Sequence, residues 1–544
     1  LRLQAISARI CGVNSFGLLL PGAQMGTVSV WLLYRMVKKR WGATTGLISA
    51  GIFAVTPILV ALSRTNNLDV MLLFFLLCGA SLALNAAEKQ SLPLLLGAVF
   101  MVGIGFNIKM LQAFLVLPAF FLIYWLSKGT FWKKLWHSLV AIVVLAVVSL
   151  SWAVAVDLTP ADQRPYVGGS ETNSVIELAL GYNGLNRLLG NQAAPAQQDT
   201  ATAGQKDQSA QQASQPRSMP PAGQSTLSSA EQGIQPGGGQ QGGHSLQPPQ
   251  QQGNRGAGGG VGGESENGAT GVLRLFDKQL AGLGSWFLLP ALGTTAVAAV
   301  YWLFRRKQLR VDEEKRKQVD HALFWGAWLL PMAVFFSVAG FMHRYYVVML
   351  APAVAALAAI AFTRAWSSSH RWLFPVLVLS SLAVQCLIIA RSSWLWMLLA
   401  VVPIAFVGLI AFFAQRRNLA AVVLALALLL APLAWSMTSV FGTLNAHIPD
   451  AGPDADTVSG AQRGDADSTQ LTDYIKANYS GERWALAVPS ANIASPIILE
   501  TDLPVMAIGG FSGSDSILTL DQFKQYVSTG ELRYVWLAQD QAQG

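Results

Sequence analysis

Apolar runs of roughly 17 to 24 residues recur along this chain, each long enough to cross a ~30 Å hydrocarbon core. They fall near 16–35, 42–62, 66–86, 92–108, 110–127 and 137–156. After a long interruption they resume near 281–304, 321–339, 345–363, 373–390, 394–414 and 419–439. Nothing else in the sequence constrains the fold as strongly, because a backbone in lipid must satisfy its polar groups within its own helices. About 12 spans therefore predict an α-helical polytopic membrane protein. Composition agrees: 52% of the 544 residues are hydrophobic and 12% charged, against ~25% charged in soluble domains. Such a chain lacks the polar surface of a cytosolic enzyme. Its net charge of +8 must be read by position along a membrane, so no nucleic-acid partner is expected. Cys11, Cys78 and Cys386 are scattered singly, which excludes a disulfide scaffold and a cysteine-based zinc site.

The charges between the runs fix an orientation. One set of loops carries Arg35, Lys38, Lys39 and Arg40, then Lys89, then Lys128, Lys133 and Lys134. The same set continues with the basic run from Arg305 to Lys317, with Arg364 and Arg371, and with Arg416 and Arg417. The intervening short loops hold only Arg64, Lys109, Arg344 and Arg391. The basic-rich face is thus assigned to the cytoplasm of a bacterial plasma membrane, and residues 157–280 and 440–544 to the outside. Leu1 then lies outside too. With no methionine and no signal-peptide pattern before the first run, the chain reads as an N-terminally truncated fragment that begins within an external loop.

Four regions follow: membrane parts at 1–156 and 281–439, an external segment 157–280, and an external C-terminal domain 440–544. Within the external segment, 191–268 is Gln, Gly, Pro, Ser and Ala with almost no aliphatic or aromatic side chains. It cannot bury enough apolar area to offset ordering, so it reads as a disordered spacer. The C-terminal domain changes character. Helices are predicted at Asp467–Tyr479, Ile493–Glu500 and Leu520–Val527, and strands at Trp484–Pro489, Val505–Ile508 and Tyr534–Leu537. That alternation describes a small α/β unit with a mainly parallel sheet.

Three short outer loops carry polar residues that a plain connector does not need. In the first, Ser63-Arg64-Thr65-Asn66-Asn67-Leu68-Asp69, Asn66 or Asn67 can cap the next helix and Asp69 complements its dipole. Arg64 has the wrong sign for that position. The second, Asn107-Ile108-Lys109, places a lysine near the hydrocarbon edge on the face away from the cytoplasm. Such a cation either snorkels or holds an anion, and in a membrane the obvious anion is a lipid phosphate. The third, His343-Arg344-Tyr345-Tyr346, offers cationic donors for phosphate and aromatic faces for a sugar, although an interfacial aromatic belt explains Tyr346 equally well. In the tail, Gly509-Gly510-Phe511-Ser512-Gly513-Ser514-Asp515 is glycine-rich but lacks the Gly-Lys-Ser/Thr ending of a phosphate loop. No HExxH, GxSxG or paired Cys/His spacing appears, so no metal or other cofactor is called for.

The order of these pieces resembles a known family. Leu-Gln-Ala-Ile-Ser-Ala at 3–8, Arg-Thr-Asn-Asn-Leu-Asp at 64–69, Phe-Asn-Ile-Lys-Met-Leu-Gln-Ala-Phe at 106–114 and His-Arg-Tyr-Tyr at 343–346 are followed by Pro-Ser-Ala-Asn at 489–492 and the glycine-rich 509–515. The sequence looks like the bacterial YkcB-type mannosyltransferases of glycosyltransferase family 39, which have the GT-C fold. The resemblance implies transfer of a sugar, mannose or another hexose, from a polyprenyl-phosphate donor to a cell-envelope glycan or protein on the outer face. It also implies a cytoplasmic partner enzyme that makes the donor. Arg64, Lys109, His343 and Arg344 would then stabilise the charge developing on the leaving phosphate, while Asn67, Asn107, Tyr345 and Tyr346 complete the donor site. In relatives the carboxylate base lies in the first external loop, ahead of residue 1. Asp69 is accordingly expected to orient Arg64 or cap its helix. Many relatives have proline where this chain has Arg344, which weakens any family-wide role for that side chain.

Two other classes remain open on the sequence. A secondary transporter would place ionisable groups at mid-membrane depth in broken helices, whereas here the polar clusters lie at outer ends. A non-catalytic envelope scaffold would use the membrane part only to display its tail.

Overall fold

The computed structural model describes residues 2–160, 163–180 apart from 165, 169, 171 and 172, then 264–442, 444, 445 and 448–455. It resumes over 465–536, apart from 512, 514 and 516. Most of the expected spacer, 191–263, and Leu537 of the last expected strand lie outside the described residues.

Helices dominate, and the local sequence explains their ends. An amphipathic helix, Arg2–Cys11, precedes the first long helix, Ser15–Trp41. Asn14 caps the latter by accepting from the Gly17 amide at 2.8 Å. Lys38, Lys39 and Arg40 occupy its last turn, where cations complement the dipole, and Gly42 ends it with φ of 85°. The run 42–62 does not form one straight span. It breaks into Ala43–Ala54 and Pro57–Ser63, bent by 64°, because Pro57 cannot donate into the preceding turn. Lys278–Gly284 and Leu288–Phe304 form a second bent pair, at 73°.

Among the described residues, nine helical segments are long and apolar enough to cross a membrane, or eleven if each bent pair is one span. The difference from twelve lies in Leu92–Leu126, a 35-residue segment that the sequence divides in two. The chain is helical over Leu92–Lys109, passes through a 3-10 turn at Met110–Val116, and is helical again over Leu117–Leu126. Met110 has φ of 25°, a value rare outside glycine, and the Phe106 and Phe114 rings stack at 5.0 Å across the turn. Contacts at both ends of the Asp69–Lys89 helix show that the chain doubles back. Lys109 meets Asp69 at one end, and Gln90 hydrogen-bonds Ser127 at the other.

The helices bury each other unevenly. In the apolar windows, Arg344–Trp366 is 89% buried and Asp69–Lys89 67%, while Phe131–Asp157 is only 28% buried. The central 351–366 stretch is built on Ala353, Ala355, Ala356, Ala358 and Ala359, all fully enclosed. Small side chains let neighbouring backbones approach where no hydrophobic effect drives association. By contrast Trp136, Ile142, Val143 and Val147 of the 131–157 helix point outward, as lipid-facing residues do.

The C-terminal unit has its own core of Ile475, Leu486, Val488 and Ile497. Strands Leu486–Val488 and Val505–Ala507 pair in parallel. A third segment adds parallel bridges from Leu532 to Trp484 and from Val535 to Ala487, where the sequence predicts a full strand. Helices Asp465–Asn478, Ala491–Thr501 and Leu520–Ser528 accompany them. The 264–268 end of the expected spacer departs from the reading of 191–268 as disordered. Glu264–Asn267 forms a short helix whose Glu266 is 5% exposed.

Candidate functional site

The site grows from the start of the Asp69–Lys89 helix. Asn67 Oδ1 accepts from the Asp69 amide at 2.8 Å, a local side-chain bond that caps the turn. Asp69 is 1% exposed. Its carboxylate accepts from Lys109 Nζ at 2.6 Å and from Gln112 Nε2 at 3.2 Å. Gln112 follows Lys109 by three residues in a 3-10 turn, so both face the same way. The lysine head also lies 3.5 Å from the Tyr346 ring centroid and 5.1 Å from that of Tyr345, within cation–π range. Asp69 thus binds Lys109, which corrects the expectation that it orients Arg64.

The segment His343–Tyr346 has two working sides. Tyr345 and Tyr346 turn toward Lys109, while His343 and Arg344 turn toward two carboxylates. His343 Nδ1 lies 3.2 Å from Glu266 Oε2, and the Arg344 amide donates to Glu266 Oε1 at 3.0 Å. Arg344 is 3% exposed, and its Nη1 donates to Asp450 Oδ2 at 2.6 Å. Its charge is therefore committed to a buried ion pair, which corrects its reading as an open phosphate donor. Burial would raise the Glu266 carboxyl, but His343 and the Arg344 amide overcome it and hold that group below the usual carboxylate range. For Asp450 burial prevails over Arg344 and pushes the carboxyl up.

Arg64 joins from the other side. It is exposed, and its Nη1 donates to the Ser439 carbonyl. The Ser439 hydroxyl in turn donates to the Asp450 carbonyl at 3.5 Å. A continuous line of contacts therefore runs from Arg64 through Ser439, Asp450, Arg344, Glu266 and His343 to the two tyrosines, Lys109 and Asp69. Asn107 stands outside it. Its Nδ2 donates to the Gly103 and Val148 carbonyls, both at 2.9 Å, which makes it a backbone anchor between two helices.

Glu266, Asp450 and Gln112 are members that the sequence reasoning missed. Beside Arg344 and Asp450 lies a cavity of about 200 Å³ lined also by Lys278, Arg391, Trp435 and Asp454. Cations, carboxylates and an indole face there suit a polar ligand with hydroxyl groups.

Comparison with known proteins completes this picture. Residues 2–152 match the family described as dolichyl-phosphate-mannose-protein mannosyltransferase. Residues 471–544 match the one described as "Putative mannosyltransferase YkcB-like, C-terminal". Over 98% of its length the chain is 37% identical to "Putative mannosyltransferase YkcB" of Bacillus subtilis (strain 168), spanning 79% of that relative. It is 38% identical over 99% of its length to "Putative mannosyltransferase YycA" of the same organism, spanning 82% of it. The crystal structure of ArnT from Cupriavidus metallidurans bound to undecaprenyl phosphate superposes with a TM-score of 0.51 at 14% identity, covering 98% of this chain and 78% of that one. Identity at that level speaks for the fold. The chain is a multi-pass membrane glycosyltransferase of the GT-C type. Within that class it belongs to the YkcB-like family.

Proposed function

We propose that this chain moves a hexosyl group, mannose being the first candidate, from a polyprenyl-phosphate carrier to a cell-envelope acceptor on the outer face of the plasma membrane. The observation that carries the reading is the gathering of Arg64, Lys109 and the His343–Tyr346 segment at one end of the helices, linked by direct contacts. In the transfer the bond from the sugar anomeric carbon to the phosphate oxygen breaks, and a bond to an acceptor oxygen forms. The acceptor proton passes to a carboxylate base. Negative charge develops on the leaving phosphate, and preorganised cations at that point are worth about 10²–10³ in rate each. Lys109 is preorganised by Asp69 below it and by the tyrosine rings beside it. Arg64 keeps donors beyond the one bound to Ser439. The ArnT structure holds undecaprenyl phosphate, and the matched family is named for a dolichyl-phosphate sugar. Both names support a lipid-phosphate carrier here.

The test is sugar transfer in membranes containing the protein expressed from its natural gene. Labelled polyprenyl-phosphate mannose, glucose and N-acetylglucosamine are supplied in parallel, with Lys109→Ala checked for normal expression. Label entering an envelope acceptor from one donor, and lost in the variant, supports the reading and names the sugar. Intact donors in all three arms would leave a transporter or a scaffold as the better account.

A further inference from the structure

A second site lies at the opposite end of the Asp69–Lys89 helix, about 30 Å from Asp69 at 1.5 Å per residue. There the last turns of Ser15–Trp41 and Asp69–Lys89 enclose a cavity of about 810 Å³. Its rim carries four cations, Arg35, Lys38, Lys39 and Arg40, against one carboxylate, Glu88. Lys39 Nζ donates to Glu88 at 2.8 Å and to Asn85 Oδ1 at 2.7 Å, and Arg40 also reaches Glu88. That pairing holds two cations in place. Arg35 and Lys38 are exposed and have no carboxylate partner among the described residues. Their heads lie over their own helix's rings, Arg35 at 4.9 Å from Trp31 and Lys38 at 5.2 Å from Tyr34.

The floor is apolar, from Leu32, Met36 and Leu84. His321 closes one wall and is 2% exposed. Its Nδ1 accepts from Trp41 Nε1 at 3.1 Å, which leaves the N–H on Nε2, and that buried atom has no hydrogen-bond partner. A positive-inside charge bias alone would put cations at this membrane edge. It does not call for a cavity with two cations lacking a carboxylate partner, an apolar floor and an orphaned buried donor.

We infer that this cavity holds the phosphate headgroup of an anionic membrane lipid, with the acyl chains along Leu32, Met36 and Leu84. The ligand chemistry is a phosphate monoanion or dianion bound by Arg35 and Lys38 and framed by Lys39 and Arg40. The rings would hold the two free cations at the rim, ready to swing onto the phosphate. This site lies apart from the proposed donor site, so the inference stands whether or not sugar transfer is found.

The experiment uses the intact chain in nanodiscs of phosphatidylcholine doped with phosphatidylglycerol, with retained lipid counted by native mass spectrometry. Inorganic phosphate is added in a parallel arm. The variant is Arg35→Gln with Lys38→Gln. The control removes two exposed cations of another loop on the same face, Arg416→Gln with Arg417→Gln. Melting in pure phosphatidylcholine checks that both variants are folded. With two direct charge-assisted contacts to the phosphate lost, the first variant should bind phosphatidylglycerol at least about thirtyfold more weakly, and the control within about twofold of the parent. Equal losses in the two variants would reduce the effect to general surface charge and overturn the site. Displacement of the lipid by millimolar phosphate would overturn the lipid assignment in favour of a soluble anion.

Discussion

Lys109 Nζ lies 2.6 Å from Asp69 Oδ2 across 40 residues of sequence, at the shared end of two antiparallel helices. The carboxylate is almost wholly enclosed and the lysine is 19% exposed at its side chain. The pair is therefore neither a surface salt bridge of small value nor a fully buried one, and its energetics can be measured.

Removing one partner leaves a buried charge with only part of its hydrogen bonds. Lys109→Met or Asp69→Asn alone is expected to cost about 2 kcal/mol of stability. The combined Lys109→Met, Asp69→Asn change should cost less than the two single effects added, since no charge is left stranded. Thermal unfolding of the four proteins in one detergent measures this. Strict additivity would mean that the two groups do not interact energetically.

Arg344 and Asp450 form the other tie, between the His343–Tyr346 segment and the chain that follows the Arg417–Phe441 helix. Arg344→Lys is not a mild change here, because the guanidinium donates to Asp450 through Nη1 at 2.6 Å while its Nε lies 4.0 Å from Glu266, and a single ammonium cannot reproduce that fork. It should lower the melting temperature by several degrees and loosen residues 448–455. Hydrogen exchange at the Ala451 and Gly452 amides reads that loosening directly. Unchanged protection there would show that the ion pair does not hold the segment.

Acid should act through Glu266. Its folded carboxyl titrates below its ordinary value of 4.5, so the stability it contributes is complete above pH 4.5 and is lost as pH falls through the lower folded value. Melting profiles of the parent should show this loss below pH 4.5. Glu266→Gln should flatten that part of the curve and lower it at neutral pH. A variant profile parallel to the parent's at all pH values would assign the acid loss to other groups.

In the C-terminal unit, Gly509 lies in the turn after the second strand, and a Cβ there would clash with the Gly513 carbonyl oxygen. The obstacle is backbone, so Gly509→Ala must open the turn. A cost of about 1–3 kcal/mol is expected, visible as faster proteolysis of residues 465–536. Gly530→Ala, with open space around its Cβ and a positive φ, should cost only the milder conformational penalty of about 1 kcal/mol.

The sequence made the site's cations legible because a membrane tolerates such residues only for a reason. Arg64, Lys109 and the His343–Tyr346 segment do meet at one end. Partner choice was not legible. Only four residues separate Arg64 from Asp69, so proximity in the chain suggested that pair. Arg64, however, lies just past the end of Pro57–Ser63 and reaches Ser439, whereas helix antiparallelism puts Lys109 over Asp69. Glu266 and Asp450 were invisible for a different reason. They lie in glycine- and proline-rich stretches with no periodicity, and their partners are 78 and 106 residues away. Short elements fared better in the α/β tail, where strand and helix alternation carries its own period. Its third strand shrinks, among the described residues, to two isolated bridges at Leu532 and Val535.

The two-sided run from His343 to Tyr346 couples positions far apart in the chain. A substitution that shifts the 264–267 turn would move His343 and Arg344, and with them the aromatic plate beside Lys109. Changes accepted in an outer connector would then be felt as altered affinity at a centre they never touch. Compensating replacements should accumulate around residues 266, 344 and 450 as a set, so grafting this tetrapeptide into a relative without its two carboxylates should fail even where every residue facing the carrier is preserved.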